Sequence, residues 1–589
     1  MNAFLKPDQF SVKMNIFSDF EDYILVSYDE MIAAGTIATL EAKDTSKMVV
    51  ELPREESHGD LACNAAMVLS RQAGMKPRDL AELFAEKLRK RDDVSEVEIA
   101  GPGFINIRLT QGRWARDIHA ILDAGRDYGR NNTGGGASIN IEFVSANPTG
   151  PLHAAHARGA IFGDALANLM EWSGYSVCRE YYINDAGAQV DVLARSAYLR
   201  YREALGEADI KIPDGLYPGL YLKEVGSALK EQYGDDLLGR SEAEILPLIR
   251  SFAIDMMMKG IQSDLIGLGI KMDVYSSERA LVEAGRVAAA IESLEKNNLV
   301  YRGVLEPPKG QLPDDWEERE QLLFRATDFG DDIDRPLQKS DGSWTYFASD
   351  VAYHHDKLQR TGGALINVWG ADHGGYVKRM KAATQAISGQ KDMLDIKLCQ
   401  LVSLLDKGKP VKMSKRAGTF VTLSDVMEAV GADVMRFIML TRRNDQTLEF
   451  DYAKVTEKSR ENPVFYVQYA HARGCSVLRQ EGLPNWDKAD LSLLQASHEV
   501  RLIKQLVSWP QLVRSAANSH EPHKIAFYLI ELAALFHGLW TAGREDPSLR
   551  FILESDADMT AARLSLVQAS VHVLYAGLHL LSVNAPEEM

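Results

Sequence analysis

The sequence predicts a multidomain α/β protein: a small α/β unit, then a parallel-sheet domain carrying a helical insertion, then an all-α unit. Three observations lead there. At 589 residues the chain exceeds what one hydrophobic core fills. The segment from Ile139 to Val144 has the pattern of a buried strand, and a Pro/Gly turn, a helix and a second strand follow it, which makes a βαβ unit. From Ser459 almost to the end, apolar residues recur only with helical spacing.

The first unit spans residues 14–130. Pro77 to Leu88 reads as an amphipathic helix, with Leu80, Leu83, Phe84 and Leu88 on one face and Pro77 in its first turn. Val97–Ala100 and Phe104–Leu109 alternate like half-buried strands around Gly101-Pro102-Gly103. Tyr128 to Ala137, rich in Asn and Gly, reads as a flexible linker. Residues 1–13 read as an extension or loose tail before Met14.

The second unit spans 138–458. Its first strand leads through Ser145–Leu152 into a helix from about Ala154 to Trp172, which Gly174 ends; Ser176–Ile183 is the next strand. Residues of about 195–300 read as a mostly helical insertion, with one helix across Ala280–Ile291. The sheet resumes near Thr345–Asp350 and the strand Ala364–Trp369. This is a Rossmann-type arrangement, in which polar turns at the C-terminal ends of strands bind nucleotides. The third unit, 459–589, carries helical periodicity over Leu493–Val513, Lys524–Trp540 and Ala561–Leu581.

Composition narrows the class. Hydrophobic content of 46% and charged content of 25% suit a globular protein. No run of about 18 apolar residues exists, so no membrane partner is expected. Met1–Ser18 lacks a basic segment followed by an apolar one, which points to the cytoplasm. Cys63, Cys178, Cys399 and Cys475 lie far apart with no Cys-x-x-Cys, so they read as small hydrophobes and no structural zinc or other protein-held metal is expected. The net charge of −17 argues against indiscriminate DNA coating but leaves a specific RNA partner open.

Two short elements carry chemistry. Lys412-Met413-Ser414-Lys415, followed by Arg416 and Gly418, sets two ammonium groups and a hydroxyl on one loop, suited to a polyanion such as a triphosphate. A charge run is ordinarily a solvated turn. Far upstream stands His153-Ala154-Ala155-His156, preceded by Ser145-Ala146-Asn147-Pro148-Thr149-Gly150-Pro151-Leu152. His-x-x-His alone is weak, with about 0.3 chance occurrences expected from 14 histidines in 589 residues. At a helix N-terminus the pair suits phosphates, whereas a zinc reading lacks the supporting Glu. Glu142, just before the turn, and Asp350, one helical turn after Tyr346, could together present a carboxylate fork to a planar cation. Carboxylates at strand ends are, however, common surface residues. Asp372, in Gly370-Ala371-Asp372-His373, suits ribose hydroxyls or is a plain polar turn. Tyr466, Tyr469 and Arg473 share a helical face that could stack on unpaired bases, although such stripes are more often core.

These motifs together resemble the arginyl-tRNA synthetases of bacterial type. His153–His156 is similar to the family's His-x-Gly-His element with Ala155 in place of Gly, and Lys412–Lys415 matches the class I Lys-Met-Ser-Lys loop. Glu142–His153, Tyr182–Gln189 and Asn462–Arg473 resemble stretches particular to the arginyl type, and the resemblance covers residues 14–589. It implies a ligase that converts arginine and ATP with magnesium into arginyl-adenylate, then esterifies its tRNA, with activation dependent on bound tRNA. His153, His156, Lys412 and Lys415 would be catalytic. Pro151, Leu152, Asp372, His373, Met413 and Ser414 would join them around ATP. Glu142, Asn147, Tyr346 and Asp350 would hold arginine. Phe104 and Asn106 of the N-terminal unit would meet the tRNA elbow, and Tyr466, Tyr469, Arg473 and Tyr528 of the all-α unit the anticodon loop. The expected state is a monomer. The rival readings are another class I synthetase, a small-molecule nucleotidyltransferase and an inactive tRNA-binding protein. Against them stand the missing Cys/His pattern of the cysteinyl type, the two flanking RNA-type units, and the retention of both histidines and both lysines.

Overall fold

The computed structural model describes residues 15–38, 42–53, 55–110, 112–305, 319–411, 421–457 and 462–589. Lys412, Met413, Ser414 and Lys415 lie outside the described residues, as do residues 1–13.

The N-terminal unit begins with α1 (Ile16–Ala33), whose N-cap Asn15 accepts from the Phe17 amide. Strands β1 (Val50–Glu51), β2 (Leu61–Cys63), β3 (Val94–Ala100) and β4 (Phe104–Leu109) form an antiparallel sheet in the order β1-β2-β4-β3. Helices α2 (Ala65–Leu69) and α3 (Pro77–Leu88) accompany this sheet, and Leu80, Phe84 and Leu88 of α3 are buried as its periodicity predicts. Helix α4 (Arg113–Ala124) leads out.

The segment after α4 is packed, which corrects the expectation of a flexible linker. Trp509 Nε1 donates to the Tyr128 carbonyl at 2.8 Å, and a Cβ on Gly129 would come within 2.4 Å of that nitrogen. Amides of Asn131, Gly134 and Gly136 donate to the carbonyls of Trp172, Ser173 and Gly174. Backbone bonding to the end of a helix removes the freedom that the glycines suggest.

The central domain contains five parallel strands: β5 (Ser138–Glu142), β6 (Ser176–Ile183), β7 (Val274–Ser277) and, after the helices described next, β11 (Ala364–Gly370) and β12 (Leu394–Cys399). Between β5 and β6 runs α5 (Ala154–Trp172); α6 (Ala188–Ala204), α7 (Tyr221–Tyr233) and α8 (Glu242–Gly267) precede β7. The spatial order β12-β11-β5-β6-β7 places the reversal of winding between β5 and β11, where open α/β sheets open a crevice. Two details depart from the sequence reading. Strand β7 lies within the stretch expected to be a helical insertion, and it forms an edge of the sheet. The helix expected over Ala280–Ile291 is two, α9 (Glu278–Glu283) and α10 (Arg286–Lys296), because Gly285 takes a left-handed φ of 70° at the break.

A three-stranded sheet, β8 (Val300–Gly303), β9 (Gln321–Phe324) and β10 (Arg335–Pro336), precedes α11 (Tyr346–Thr361). Helix α12 (Val377–Ser388) joins β11 to β12. Around these elements Val287, Ile291, Phe324, Val351, Leu365 and Met380 build a core separate from the main one. A second small sheet is formed by β13 (Val402–Asp406), β14 (Lys409–Pro410) and β15 (Leu448–Asp451), with α13 (Leu423–Val430) and α14 (Ala432–Met439) between β14 and β15 in the chain.

After α15 (Tyr452–Val455) the chain is a bundle: α16 (Pro463–Leu478), α17 (Ser497–Ser519), α18 (His523–Glu545) and α19 (Ala557–Leu580). Among the described residues α18 alone is long and apolar enough to cross a membrane, and its Ile525, Leu529, Leu532 and Phe536 are buried among its neighbours. Buried Arg436 of α14 ties this bundle to the sheet domain: it donates to Leu581 O, Leu268 O and, at 2.5 Å, to Asp164 Oδ2 of α5.

Candidate active site

The turn after β5 is built under strain. Val144 and Ser145 have φ values of 70° and 39°, a region costly for a β-branched residue and recurrent where geometry serves a site. The turn is held open by side chains: Tyr181 OH donates to Ala146 O and Tyr221 OH to Thr149 O, both at 2.7 Å. It delivers the chain to His153, the N-cap of α5. The His153 and His156 rings stack with centroids 3.7 Å apart, and the His153 amide donates to His156 Nδ1 at 3.3 Å. A neutral His156 then carries its proton on Nε2, which makes that atom a donor. Among the described residues no group of three His, Cys, Asp or Glu side chains forms a metal-ligand set.

The lysine loop's downstream flank is bonded to this turn. His153 and Thr422 form an antiparallel β-bridge, Leu423 N donates to Leu152 O at 2.8 Å, and Ala154 N to Val421 O at 3.3 Å. Across the crevice, Asp372 and His373 are exposed on a short 3-10 turn after β11, with Asp372 Oδ2 3.6 Å from His373 Nε2. Pro151 is half-buried and Leu152 is buried beneath the turn.

Where β5 ends and α11 begins, carboxylates and tyrosines cluster: Glu142, Glu278 and Asp350 all act on the Tyr182 hydroxyl. Glu142, at the end of β5, is buried; Asp350 and Tyr346 are one turn apart on α11, where Thr345 caps the helix by accepting from the Ala348 amide. Tyr346 is 63% exposed, with the Lys339 ammonium 5.5 Å from its ring. Asp350 keeps part of its surface accessible while its carboxyl lies deep among protein atoms. Burial, then the nearby Glu278 and Glu142 carboxylates, push that carboxyl up to about 7, against the Tyr376 hydroxyl that donates to it at 2.6 Å. Asn147, on the turn, donates to Gln189 Oε1 at 3.1 Å.

Sequence reasoning did not single out several residues here. Glu278, the first residue of α9, is buried, and burial, then the Asp185 carboxylate, raise it. Asp185 accepts from Ser277 Oγ at 2.7 Å and the Arg279 amide at 2.9 Å. Tyr182 and Tyr353 face each other at 4.2 Å between ring centroids. Tyr182 and Asp185 sit in a stretch whose pattern is recognisable; Glu278 has no local signal, because it enters only through pairing of β7 with β6. Glu142 itself is engaged by the buried ammonium of Lys357 at 2.7 Å, a partner 215 residues away.

The surfaces expected to meet RNA differ among themselves. Phe104 and Asn106 share a face of β4, where Phe104 is 41% exposed and Asn106 is buried. Tyr466, Tyr469 and Arg473 of α16 line a cavity of about 580 Å³ with His537 and Trp540 of α18. The Arg473 guanidinium lies 4.4 Å from the Tyr469 ring and 4.6 Å from that of Trp540. Tyr528 does not join them. It is buried in the opposite direction on α18, its ring 5.1 Å from that of Trp509 in a tilted contact and its hydroxyl donating to Gln505 O at 2.6 Å, because a nine-residue offset from His537 turns it to the other helix face.

Comparison with known proteins agrees with this arrangement. Family models of the arginyl tRNA synthetase N terminal domain, the class I (R) tRNA synthetase catalytic domain and the DALR anticodon binding domain match residues 28–109, 117–224 and 467–589. An arginine–tRNA ligase of Ruegeria pomeroyi is 54% identical over 98% of this chain and 100% of its own length. One of Rhodopseudomonas palustris is 57% identical over 93% and 94%. The fold is similar to that of Thermus thermophilus arginyl-tRNA synthetase, with a TM-score of 0.70 at 20% identity over 98% of this chain and 100% of that one. Identity of this extent over nearly the whole length of both chains places the protein in the arginyl-tRNA synthetase family.

Proposed function

We propose that this protein ligates L-arginine to its tRNA at the expense of ATP, bound as its magnesium complex. The carrying observation is the cluster of Asp350, Glu278 and Glu142 beside Tyr182 and Tyr353, at the sheet's switch point where β5 leads into the His153–His156 turn. A guanidinium is a planar cation with five donors, and convergent buried carboxylates complement it in charge and geometry. An uncharged analogue brings no positive charge to balance Asp350 and Glu278, which burial and their like-charged neighbours disfavour as anions, so the site rejects it without a separate editing domain.

In the first step the arginine carboxylate attacks the α-phosphorus of ATP, the bond to the pyrophosphate oxygen breaks, and arginyl-adenylate forms. Asn147, Glu142, Tyr346 and Asp350 hold the amino acid. His156 Nε2–H and His153, at the positive end of α5, hydrogen-bond the phosphates. Lys412 and Lys415 neutralise the departing pyrophosphate, with Met413 and Ser414 beside them. Pro151, Leu152, Asp372 and His373 border the nucleoside. In the second step a terminal ribose hydroxyl of the tRNA attacks the carbonyl carbon and AMP leaves.

Phe104 and Asn106 meet the tRNA elbow, and Tyr466, Tyr469 and Arg473 receive unstacked anticodon-loop bases; the burial of Tyr528 favours a supporting place for that ring. The protein acts as a cytoplasmic monomer, without a membrane partner, and activation requires bound tRNA. ATP–pyrophosphate exchange, run with each amino acid with and without tRNA, tests the reading. Exchange confined to arginine is expected. Exchange with a different amino acid in its place overturns the assignment, whereas arginine exchange without tRNA overturns only the tRNA requirement.

A further inference from the structure

We propose that Lys357 is a positioning residue of the arginine pocket: its buried ammonium orients Glu142 and lets that carboxylate and Asp350 work side by side. The inference rests on the reading of Glu142 and Asp350 as the residues that hold the substrate side chain.

Lys357 is fully buried on α11, seven residues after Asp350 and so on the same helical face. Its Nζ donates to Glu142 Oε2 and to Asn367 Oδ1, both at 2.7 Å, and lies 4.6 Å from the Tyr353 ring centroid. The carboxylate, the amide and the ring face together surround the ammonium. Glu142 is in turn held at both oxygens, because Ser145 Oγ donates to Oε1 at 3.0 Å. Ser145 Oγ accepts from the Tyr182 amide at 3.1 Å, so the strained turn itself helps set the carboxylate.

The surrounding bonds have one consistent proton arrangement. Asn367 Oδ1 accepts from Lys357, so its Nδ2 donates to His354 Nε2 at 2.8 Å. His354 Nδ1–H then donates to the Asp350 carbonyl at 2.8 Å, and burial keeps this imidazole neutral. One chain of hydrogen bonds thus runs from Glu142 on β5, through Asn367 on β11, to the backbone of Asp350 on α11. An ion pair buried this deeply is poor value for stability, since apolar residues of equal volume commonly do as well. Its place beneath a pocket for a cation supplies the other reason. Glu142 raises the Asp350 carboxyl and Lys357 lowers it, so without the ammonium two like charges face each other where water does not screen them.

The test is steady-state aminoacylation by the full-length protein. Lys357→Met is expected to raise KM for arginine about tenfold or more while KM for ATP and for tRNA stay within about twofold. The rise in arginine KM on acidification should also move to higher pH than in the parent. Equal increases in all three KM values would show a merely structural role and overturn the proposal. Glu142→Gln alone checks the underlying reading: an unchanged arginine KM there removes Glu142 from the pocket, whatever Lys357 does. If Lys357→Met fails to fold, the Lys357→Met/Glu142→Gln variant, which leaves no lone buried charge, replaces it. That double variant should match Glu142→Gln in arginine KM, because each change breaks the same contact; an arginine KM well above that of Glu142→Gln, or a parent-like one, refutes the coupling.

Discussion

His153 and Thr422 are joined by an antiparallel β-bridge, so the turn that opens α5 is hydrogen-bonded to the segment just downstream of residues 412–420. Thr422 also caps α13, with its hydroxyl accepting from the Asp425 amide at 3.0 Å and Asp425 Oδ2 accepting from the Thr422 amide at 2.8 Å. The turn before α5 and the chain just after residues 412–420 therefore share an anchor. Thr422→Ala should cost about 1 kcal/mol of stability by loss of the cap. It should also slow pyrophosphate exchange while leaving arginine KM unchanged; parent-like exchange would show that the anchor does not position the loop.

With Asp350 in the proposed arginine site, arginine binding should be pH-dependent. Burial, then Glu278 and Glu142, push the Asp350 carboxyl up to about 7, whereas a guanidinium beside it would favour the charged form. Affinity is thus full above that value and is lost as pH falls through it, with arginine KM rising by up to about tenfold per pH unit below. Asp350→Asn should have a high KM that is nearly flat with pH. A parent enzyme whose arginine KM is constant between pH 6 and 8, conditions bracketing that value, contradicts the assignment.

Asp164 and Arg436 form a buried pair that holds α5 against α14 and the end of α19. Asp164→Ala leaves a guanidinium without its anion, and about 3–5 kcal/mol of stability should be lost in urea titration. The change should be much smaller in Asp164→Ala/Arg436→Met, where no charge is stranded.

Arg473→Ala should raise KM for tRNA with a loss of about 1–3 kcal/mol in tRNA affinity, the range for a stacking contact, and leave the KM values for ATP and arginine in place. Tyr528→Phe should behave differently. It removes one hydrogen bond to Gln505 O, costs about 1 kcal/mol of stability and leaves tRNA KM unchanged. A tRNA KM effect in Tyr528→Phe as large as in Arg473→Ala would put its hydroxyl on the RNA.

Gly129→Ala should loosen the N-terminal unit. The residue has a φ of 93°, and a Cβ would strike the Trp509 ring that holds the Tyr128 carbonyl. Faster limited proteolysis around residues 128–137, with little change in arginine KM, is the expected readout.

Local signals made much of this protein legible. Apolar alternation and Gly/Pro turns located β3, β4, β5, β6 and β11, and helical periodicity located α3, α5 and the three long helices at the end. These depend on neighbours within a few residues, which is the range over which backbone preference and amphipathic pattern act. Tertiary structure alone decided what those segments meet. Glu278 reaches the pocket because β7 pairs with β6, and Lys357 reaches Glu142 because α11 lies beneath the sheet's switch point. The Asn- and Gly-rich stretch after α4 is immobilised by Trp509, and Tyr528 is turned into the core while Tyr469 and Arg473 line a cavity. Burial and electrostatic environment belong to residues far apart in the chain, so the type of a side chain is written in the sequence, whereas its charge state, its partner and its access to a ligand arise only on folding.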